Sequence, residues 1–238
     1  MNTSSTSTMV QHETGRKLLH GLLGPCLRGA LFVCLITGVA YPLATTGVAQ
    51  LLMPETASGS LIEQGGRVVG SRLIGQHFTA AHYFHARPSA TTGPNPDGSG
   101  TSVSQPYYAG ASLGSNQGPT NAALIDAVQQ RAQEYRQRNG LPADAMVPVD
   151  AVTASASGLD PHVSVANARL QAQRVADARR LPLEKVRALV EQHSEGRLLG
   201  LLGEPRVNVL LLNMALDRQS TEGAVSVSVN AAGEHHVR

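Results

Sequence analysis

No charged residue occurs between Arg28 and Glu55, and a run of that kind leaves a chain few ways to fold. An α-helix rises about 1.5 Å per residue, so residues 29–53 reach roughly 37 Å, more than the ~30 Å hydrocarbon core of a bilayer. A buried helix of a soluble domain seldom runs so far without a charge. The run therefore reads as a single transmembrane helix, placed at residues 28–53. Arg16, Lys17 and Arg28 precede or open it, with Glu13 as the one acid on that side. Basic flanks stay cytoplasmic. The N-terminal segment 1–27 is thus expected inside, and the chain beyond the helix in the periplasm, on the outer side of the inner membrane. A cleavable signal peptide ending at Gly47-Val48-Ala49 is the competing reading. The run is longer than a signal core, however, and holds Tyr41 and Pro42 in its middle.

Thr37, Tyr41 and Thr45 recur at helical spacing in this run, and Ala40 and Ala44 form a small-residue pair. In lipid, small residues allow close approach and hydroxyls bond across helices, which makes the stripe an expected contact between subunits. The alternative is that the hydroxyls satisfy backbone carbonyls around Pro42.

Beyond Pro54 the chain carries sixteen Lys and Arg against sixteen Asp and Glu. An electrically neutral exported part argues against a nucleic-acid partner, which requires a clustered basic surface. Cys26 and Cys34 both precede it, so no disulfide can staple the domain although its compartment would permit one. A packed core must hold it, and that core has no Trp to use.

Residues 54–218 read as one mixed α/β domain, preceded by a disordered, Ser/Thr-rich start and followed by a flexible polar tail, 219–238. Arg67-Val68-Val69 and Leu73-Ile74 suggest short strands. Residues 89–120 form a long Gly/Ser/Pro/Asn tract without a period, a length that is commonly functional. Leu124, Val128, Ala132 and Tyr135 give a helical face over residues 121–138. Residues 147–152 suggest a strand. Ser164 caps a second helix to about Arg180, and Pro182 opens a third through His193. The branched and leucine run 207–212 suggests a buried strand leading into a short helix that ends near Asp217.

Several motifs could carry chemistry. Gly110-Ala111-Ser112-Leu113-Gly114 matches a nucleophile elbow, but Ser115 to Pro119 cannot start the helix that such an elbow needs. Ser155, Ser157, Asp160 and His162 hold the groups of a triad, yet members this close in sequence rarely converge. A turn over Ser157-Gly158-Leu159-Asp160-Pro161 is the better reading, with Gly158 at positive φ. Lys17 and Lys185 are the only lysines. Neither follows a serine by three positions or a glycine directly, which excludes Ser–Lys acyl transfer and a Walker A loop. His77, His82 and His85 lie among Phe78, Tyr83 and Phe84 and read as packing, while adjacent His235 and His236 alone make weak metal ligands. No metal site is expected. The classes left in play are a non-catalytic component of a larger assembly, a membrane-anchored periplasmic serine hydrolase using Ser112 or Ser157, and a solute-binding module.

In order along the chain stand Tyr41-Pro42-Leu43, Gly70-Ser71-Arg72-Leu73-Ile74-Gly75-Gln76-His77-Phe78 and Tyr83-Phe84-His85-Ala86-Arg87-Pro88-Ser89. Ser115-Asn116-Gln117-Gly118-Pro119-Thr120-Asn121 and Val147-Pro148-Val149-Asp150 follow. The last blocks are Val152-Thr153-Ala154-Ser155-Ala156-Ser157-Gly158-Leu159-Asp160-Pro161-His162 and Gly203-Glu204-Pro205-Arg206-Val207-Asn208-Val209, continuing to Asp217. From Arg28 to Asp217 the sequence resembles the KdpC family, a component of the bacterial potassium-transporting P-type ATPase. Its departures are a long N-terminal extension, an extra tail, and Gln117 where the family more often has leucine.

The resemblance implies a non-catalytic, accessory member of a high-affinity potassium-uptake complex. Its implied partners are the potassium-channel-like subunit, the ATP-hydrolysing P-type ATPase subunit, and one further small subunit. It also implies a catalytic chaperone that raises the ATP affinity of the hydrolysing subunit, with Gly114, Ser115, Asn116 and Gln117 as the nearest nucleotide-binding counterpart. No cofactor is expected to bind tightly; ATP would act through the complex, and potassium is the transported ion. Arg87 and Asp160 are expected to serve structure or contact between subunits. The topology argues against direct ATP contact, because positive-inside orientation puts the loop on the side without ATP. A single helix cannot form a pore, and the chain has neither a Thr-Val-Gly-Tyr-Gly filter nor an Asp-Lys-Thr-Gly phosphorylation sequence.

Overall fold

Helix α1 runs over Gly21–Leu52 in the computed structural model, which describes residues 21–219. Residues 1–20 with Arg16 and Lys17, and 220–238 with His235 and His236, lie outside the described residues. Among those described, α1 is the one helix long and apolar enough to cross a membrane, and it starts earlier than the uncharged run alone suggested. Pro42 lacks an N–H and its ring crowds the carbonyl four residues back. The helix does not stop there. It widens into a π-turn over Ile36–Ala40, where the Tyr41 N–H bonds the Ile36 carbonyl, and continues. A short helix α2, Pro54–Ala57, follows.

The chain divides at Ser60/Leu61 into two compact units. The second begins with an antiparallel hairpin of β1, Leu61–Gln64, and β2, Arg67–Ser71. Gly65 and Gly66 turn it at φ +60° and +75°, the double positive φ that a two-residue hairpin loop requires. Leu73 and Ile74 are not a strand: the Leu73 N–H bonds the Ser71 hydroxyl and one bridge joins Ser71 to Ile74. The long polar tract is not structureless, since β3, Thr92–Pro94, pairs antiparallel with β4, Ser102–Ser104.

Helix α3, Ala122–Arg138, starts at Asn121, whose side chain accepts from the Ala123 N–H. Residues 147–152 form a short helix α4, Val149–Val152, rather than a strand. The β-branched residues there are overruled by Asp150, whose carboxylate accepts from the Ser164 N–H and hydroxyl and from the Asn167 amide. Strand β5, His162–Ser164, leads into α5, Val165–Arg179, with Ser164 capping the Asn167 N–H. Arg180 ends α5 in the left-handed region, and α6 spans Leu183–Gln192. Strands β6, Ser194–Glu195, and β7, Arg206–Asn208, complete an antiparallel sheet in the order β5-β7-β6.

The chain turns helical again at once, over 209–219, as α7. The run 207–212 is therefore mostly helix. Its pairing partners β5 and β6 are three and two residues long, so the ladder ends at Asn208. Beyond it Val209, Leu212 and Leu216 are buried at helical spacing.

These elements make a mixed α/β domain whose core joins α5, α6, α7 and the sheet. Ala168, Ala172 and Ala176 on α5 are buried beside Val186, Leu189 and Val190 on α6; small side chains on one helix let the other approach. Each fully buried branched side chain contributes about 1.5–3 kcal/mol. Phe84 is fully buried in the same cluster although its segment belongs to no helix or strand. Two buried side-chain amides replace a neighbouring strand. Asn213 accepts from the Phe84 N–H and donates to the Phe84 carbonyl, at 2.9 and 3.0 Å. Gln171 does the same for His85, at 2.8 and 3.1 Å. Residues 85–89 thereby reach the 155–161 turn in one fixed position.

Candidate functional site

Gly158 takes φ +67°, as its place in the turn predicted. Added there, a β-carbon would stand 2.6 Å from both the Leu113 carbonyl oxygen and Thr91 Cγ2. The Ser155 hydroxyl accepts from the Gly158 N–H and the Ser157 hydroxyl from the Leu159 N–H. From outside the turn, Ser89 Oγ donates to the Gly158 carbonyl at 2.7 Å and accepts from the Tyr107 N–H. The Tyr107 hydroxyl donates to the Arg87 and Asp160 carbonyls at 3.0 and 3.2 Å. Thr91 Oγ1 donates to the Gln105 carbonyl and accepts from the Tyr108 N–H. Segments 87–91, 105–108 and 155–161 thus form one hydrogen-bonded knot.

Arg87 and Asp160 meet at its centre, Nη1 to Oδ2 at 3.1 Å. The other Asp160 oxygen accepts from the His162 N–H and faces His162 Nδ1 at 3.1 Å. Burial raises the Asp160 pKa, but the His162 ring and N–H bonds and the Arg87 charge outweigh it and hold the carboxyl below its usual range. Tyr107 is pushed far up, chiefly by burial and then by Asp160, so its hydroxyl remains a donor.

The serines singled out in sequence bond to backbone. Ser112 Oγ donates to the Ser157 carbonyl at 3.2 Å, and no hydrogen bond joins Ser112, Ser155 or Ser157 to an imidazole among the described residues. Residues 110–118 contain neither the strand nor the helix of a nucleophile elbow. Gly114 packs so closely that a β-carbon would lie 2.7 Å from the Ala156 carbonyl, and the Leu113 N–H bonds the Ser157 carbonyl. This clamps the start of the loop onto the turn and leaves Ser115, Asn116 and Gln117 exposed.

Beside the knot lies a cavity of about 330 Å³, lined by His77, His85, Arg87, Arg131, Glu134 and Arg138 among others. His85 Nε2 faces the Ala80 carbonyl at 3.1 Å and Nδ1 faces Arg138 at 3.4 Å. Burial, then the charges of Arg174 and Arg138, lower its pKa to about 4. His82 lies against Tyr83 with ring centroids 4.3 Å apart. Among the described residues no three His, Cys, Asp or Glu side chains are grouped to hold a metal. In α1, Thr37 donates to the Val33 carbonyl at 2.8 Å and Thr45 to the Tyr41 and Pro42 carbonyls at 3.0 Å. Each threonine spends its proton locally, while Tyr41 is exposed.

Sequence reasoning reached Arg87, Asp160 and the turn. It missed Ser89, Thr91, Tyr107, Gln171 and Asn213, whose partners are mostly far away in the chain. Only the pairing of amide side chains with helical burial positions could have suggested Gln171 and Asn213.

The family described as K+-transporting ATPase, c chain, KdpC, matches this chain over residues 23–218. Curated relatives similar along nearly their full length carry the description Potassium-transporting ATPase KdpC subunit. The one from Mycobacterium tuberculosis is 54% identical over 194 residues, covering 82% of this chain and 96% of its own. The one from Bradyrhizobium diazoefficiens is 53% identical over 198 residues, covering 83% and 97%. The one from Rhodopseudomonas palustris is 55% identical over 193 residues, covering 81% and 96%.

Proposed function

The chain belongs to the KdpC family, the c chain of K+-transporting ATPases, and we propose that it serves that complex as a non-catalytic component seated on its outer face. The observation that carries this reading is the knot itself. The hydroxyls of Ser89, Ser112, Ser155 and Ser157, and the Arg87–Asp160 pair, are all engaged in holding loops together. That is the behaviour of a rigid docking body, whereas a nucleophile needs a base within reach. A single long apolar helix with basic residues on its N-terminal side supports a cytoplasmic N-terminus and a domain outside. The partners are then the channel-like, the ATP-hydrolysing and the small subunits of the same pump. Any effect on ATP affinity passes through the assembled complex, because ~30 Å of hydrocarbon separates the 113–117 loop from nucleotide.

Three measurements test this. The pump subunits should co-purify with this chain from membranes, and a serine-directed fluorophosphonate probe should leave it unlabelled. In membrane-embedded complex, Gln117→Ala should leave the ATP concentration dependence of hydrolysis unchanged. A large rise in apparent KM for ATP, with complex yield and potassium dependence intact, would favour direct chaperoning by the loop.

A further inference from the structure

The cavity beside the knot holds more positive charge than its partners cancel. Arg87, Arg131 and Arg138 line it together with one acid, Glu134. Arg174 stands next to it, bonded to the wall residues Asn139 and Gln171. Among the described residues Arg131, Arg138 and Arg174 make no ion pair with a carboxylate. Arg131 donates to the Val152 carbonyl, Arg138 meets His85 Nδ1, and Arg174 donates to the Ala81 and Tyr83 carbonyls. Arg87 does meet Asp160, yet its Nε is buried without a hydrogen-bond partner. A buried guanidinium N–H with nothing to donate to is costly and uncommon.

The neighbours register the resulting field. Arg174 falls to about 10, through burial and then repulsion by Arg138. His85 is held neutral by burial and the same cations. Guanidinium groups present planar, forked donors that match two oxygens of one anion. A volume of about 330 Å³ is at the small end of ligand pockets, suited to a compact ion.

We propose that this cavity is an oxyanion site, in which Arg87, Arg131 and Arg138 hold a carboxylate or phosphate group. The group can be a free ion of the medium or the acidic side chain of a neighbouring protein in the pump. Glu134 and Asp160 together offset two of the three guanidinium charges, which leaves one for the incoming group, whether free or carried on a side chain.

Calorimetric titration of the purified full-length chain with inorganic phosphate, and separately with succinate, tests the site against sodium chloride at matched ionic strength. Saturable binding of one ion per chain is expected for at least one of the two anions and none for chloride. Arg138→Gln should weaken that binding about tenfold or more, since it removes a charge-assisted donor, and Arg138→Lys should weaken it less. The Arg138 side chain is exposed, so the variants should melt as the parent does. Arg187→Gln, which removes an equal charge from an exposed pair with Glu184, should bind as the parent does. Repeating the titration on the co-purified complex separates the sources. Retained binding identifies a free ion, and lost binding identifies a partner's acidic side chain in the cavity. No saturable binding of either anion to the isolated chain, or equal weakening by Arg138→Gln and Arg187→Gln, overturns the proposal.

Discussion

Two glycines of the domain share a backbone conformation and differ in surroundings, which makes them a controlled pair. Gly158 has φ +67° and Gly140 φ +63°. Replacing either by alanine forces an L-residue into the left-handed region, at a cost of about 1–2 kcal/mol. At Gly140 nothing lies within 4 Å of the new β-carbon, whereas at Gly158 the Leu113 carbonyl oxygen and Thr91 Cγ2 both stand at 2.6 Å. Neither neighbour is free to move. The Leu113 N–H is tied to the Ser157 carbonyl, and Thr91 is held through its hydroxyl by Gln105 and Tyr108. Overpacking of this kind adds about 1–3 kcal/mol, so Gly158→Ala should cost on the order of 2–5 kcal/mol. A domain of about 160 residues loses roughly 2–4 °C per kcal/mol. Gly140→Ala should therefore lower the melting temperature by about 2–8 °C, and Gly158→Ala by about 4–20 °C. Circular dichroism of the full chain in detergent reads this directly, because the anchor helix contributes a constant signal beneath the domain's transition. Gly158→Val should further reduce the yield of assembled complex. Equal losses from Gly158→Ala and Gly140→Ala would refute the steric argument. Normal assembly with abolished turnover in Gly158→Val would give the turn a catalytic role instead.

Asp160→Asn should destabilise the domain by about 1–3 kcal/mol in urea unfolding, because it strands Arg87 in a pair whose side chains are 23% and 28% exposed. Since the folded pKa of Asp160 lies below its unfolded value, that contribution is present above the unfolded pKa, near pH 4, and is lost as pH falls through the folded value. The gap between parent and variant should close accordingly. His85 titrates at about 4 when folded against 6.5 as the ordinary value, so the unfolded chain binds more protons between these limits. Stability should therefore fall by on the order of 2 kcal/mol, discounted for partial solvation, as pH drops from 6.5 to 4. His85→Gln should flatten that slope, and an unchanged slope would place it elsewhere. Replacing Thr37, Tyr41 and Thr45 together by leucine should weaken retention in the complex without affecting insertion. Single changes should be nearly silent, at about 0.6 kcal/mol per interhelical hydrogen bond. Undiminished co-purification of the triple variant would leave the threonine hydroxyls only their local carbonyl bonds.

The anchor was legible without any structure, since absence of charge over a bilayer's thickness is a property of composition. So were α3, α5 and α6, whose apolar spacing and stop signals are local: Ser164 caps the helix that its position predicted, and α3 fills the predicted helical stretch with Asn121 as its cap. The turn at Gly158 was equally local. Tertiary context decided the remainder. Pro42 is the exception: it should weaken a helix, yet a π-turn five residues long absorbs it within the helix itself. Val147 to Val152 has strand composition, yet Asp150 draws it into a helical turn by bonding Ser164 and Asn167. The run 207–212 looked like a strand because branched residues favour pleated surfaces, but a strand persists only as far as its partners, and those end at Asn208. The site divides the same way. Asp160 could be singled out within a turn signal, and Arg87 within a block that carries the family resemblance. Their meeting across 73 residues, the amide clamps of Gln171 and Asn213, and the arginines gathered around one cavity could not. Caps and periods act between neighbours in sequence, whereas contacts of this kind exist only once packing has brought distant segments within hydrogen-bond reach.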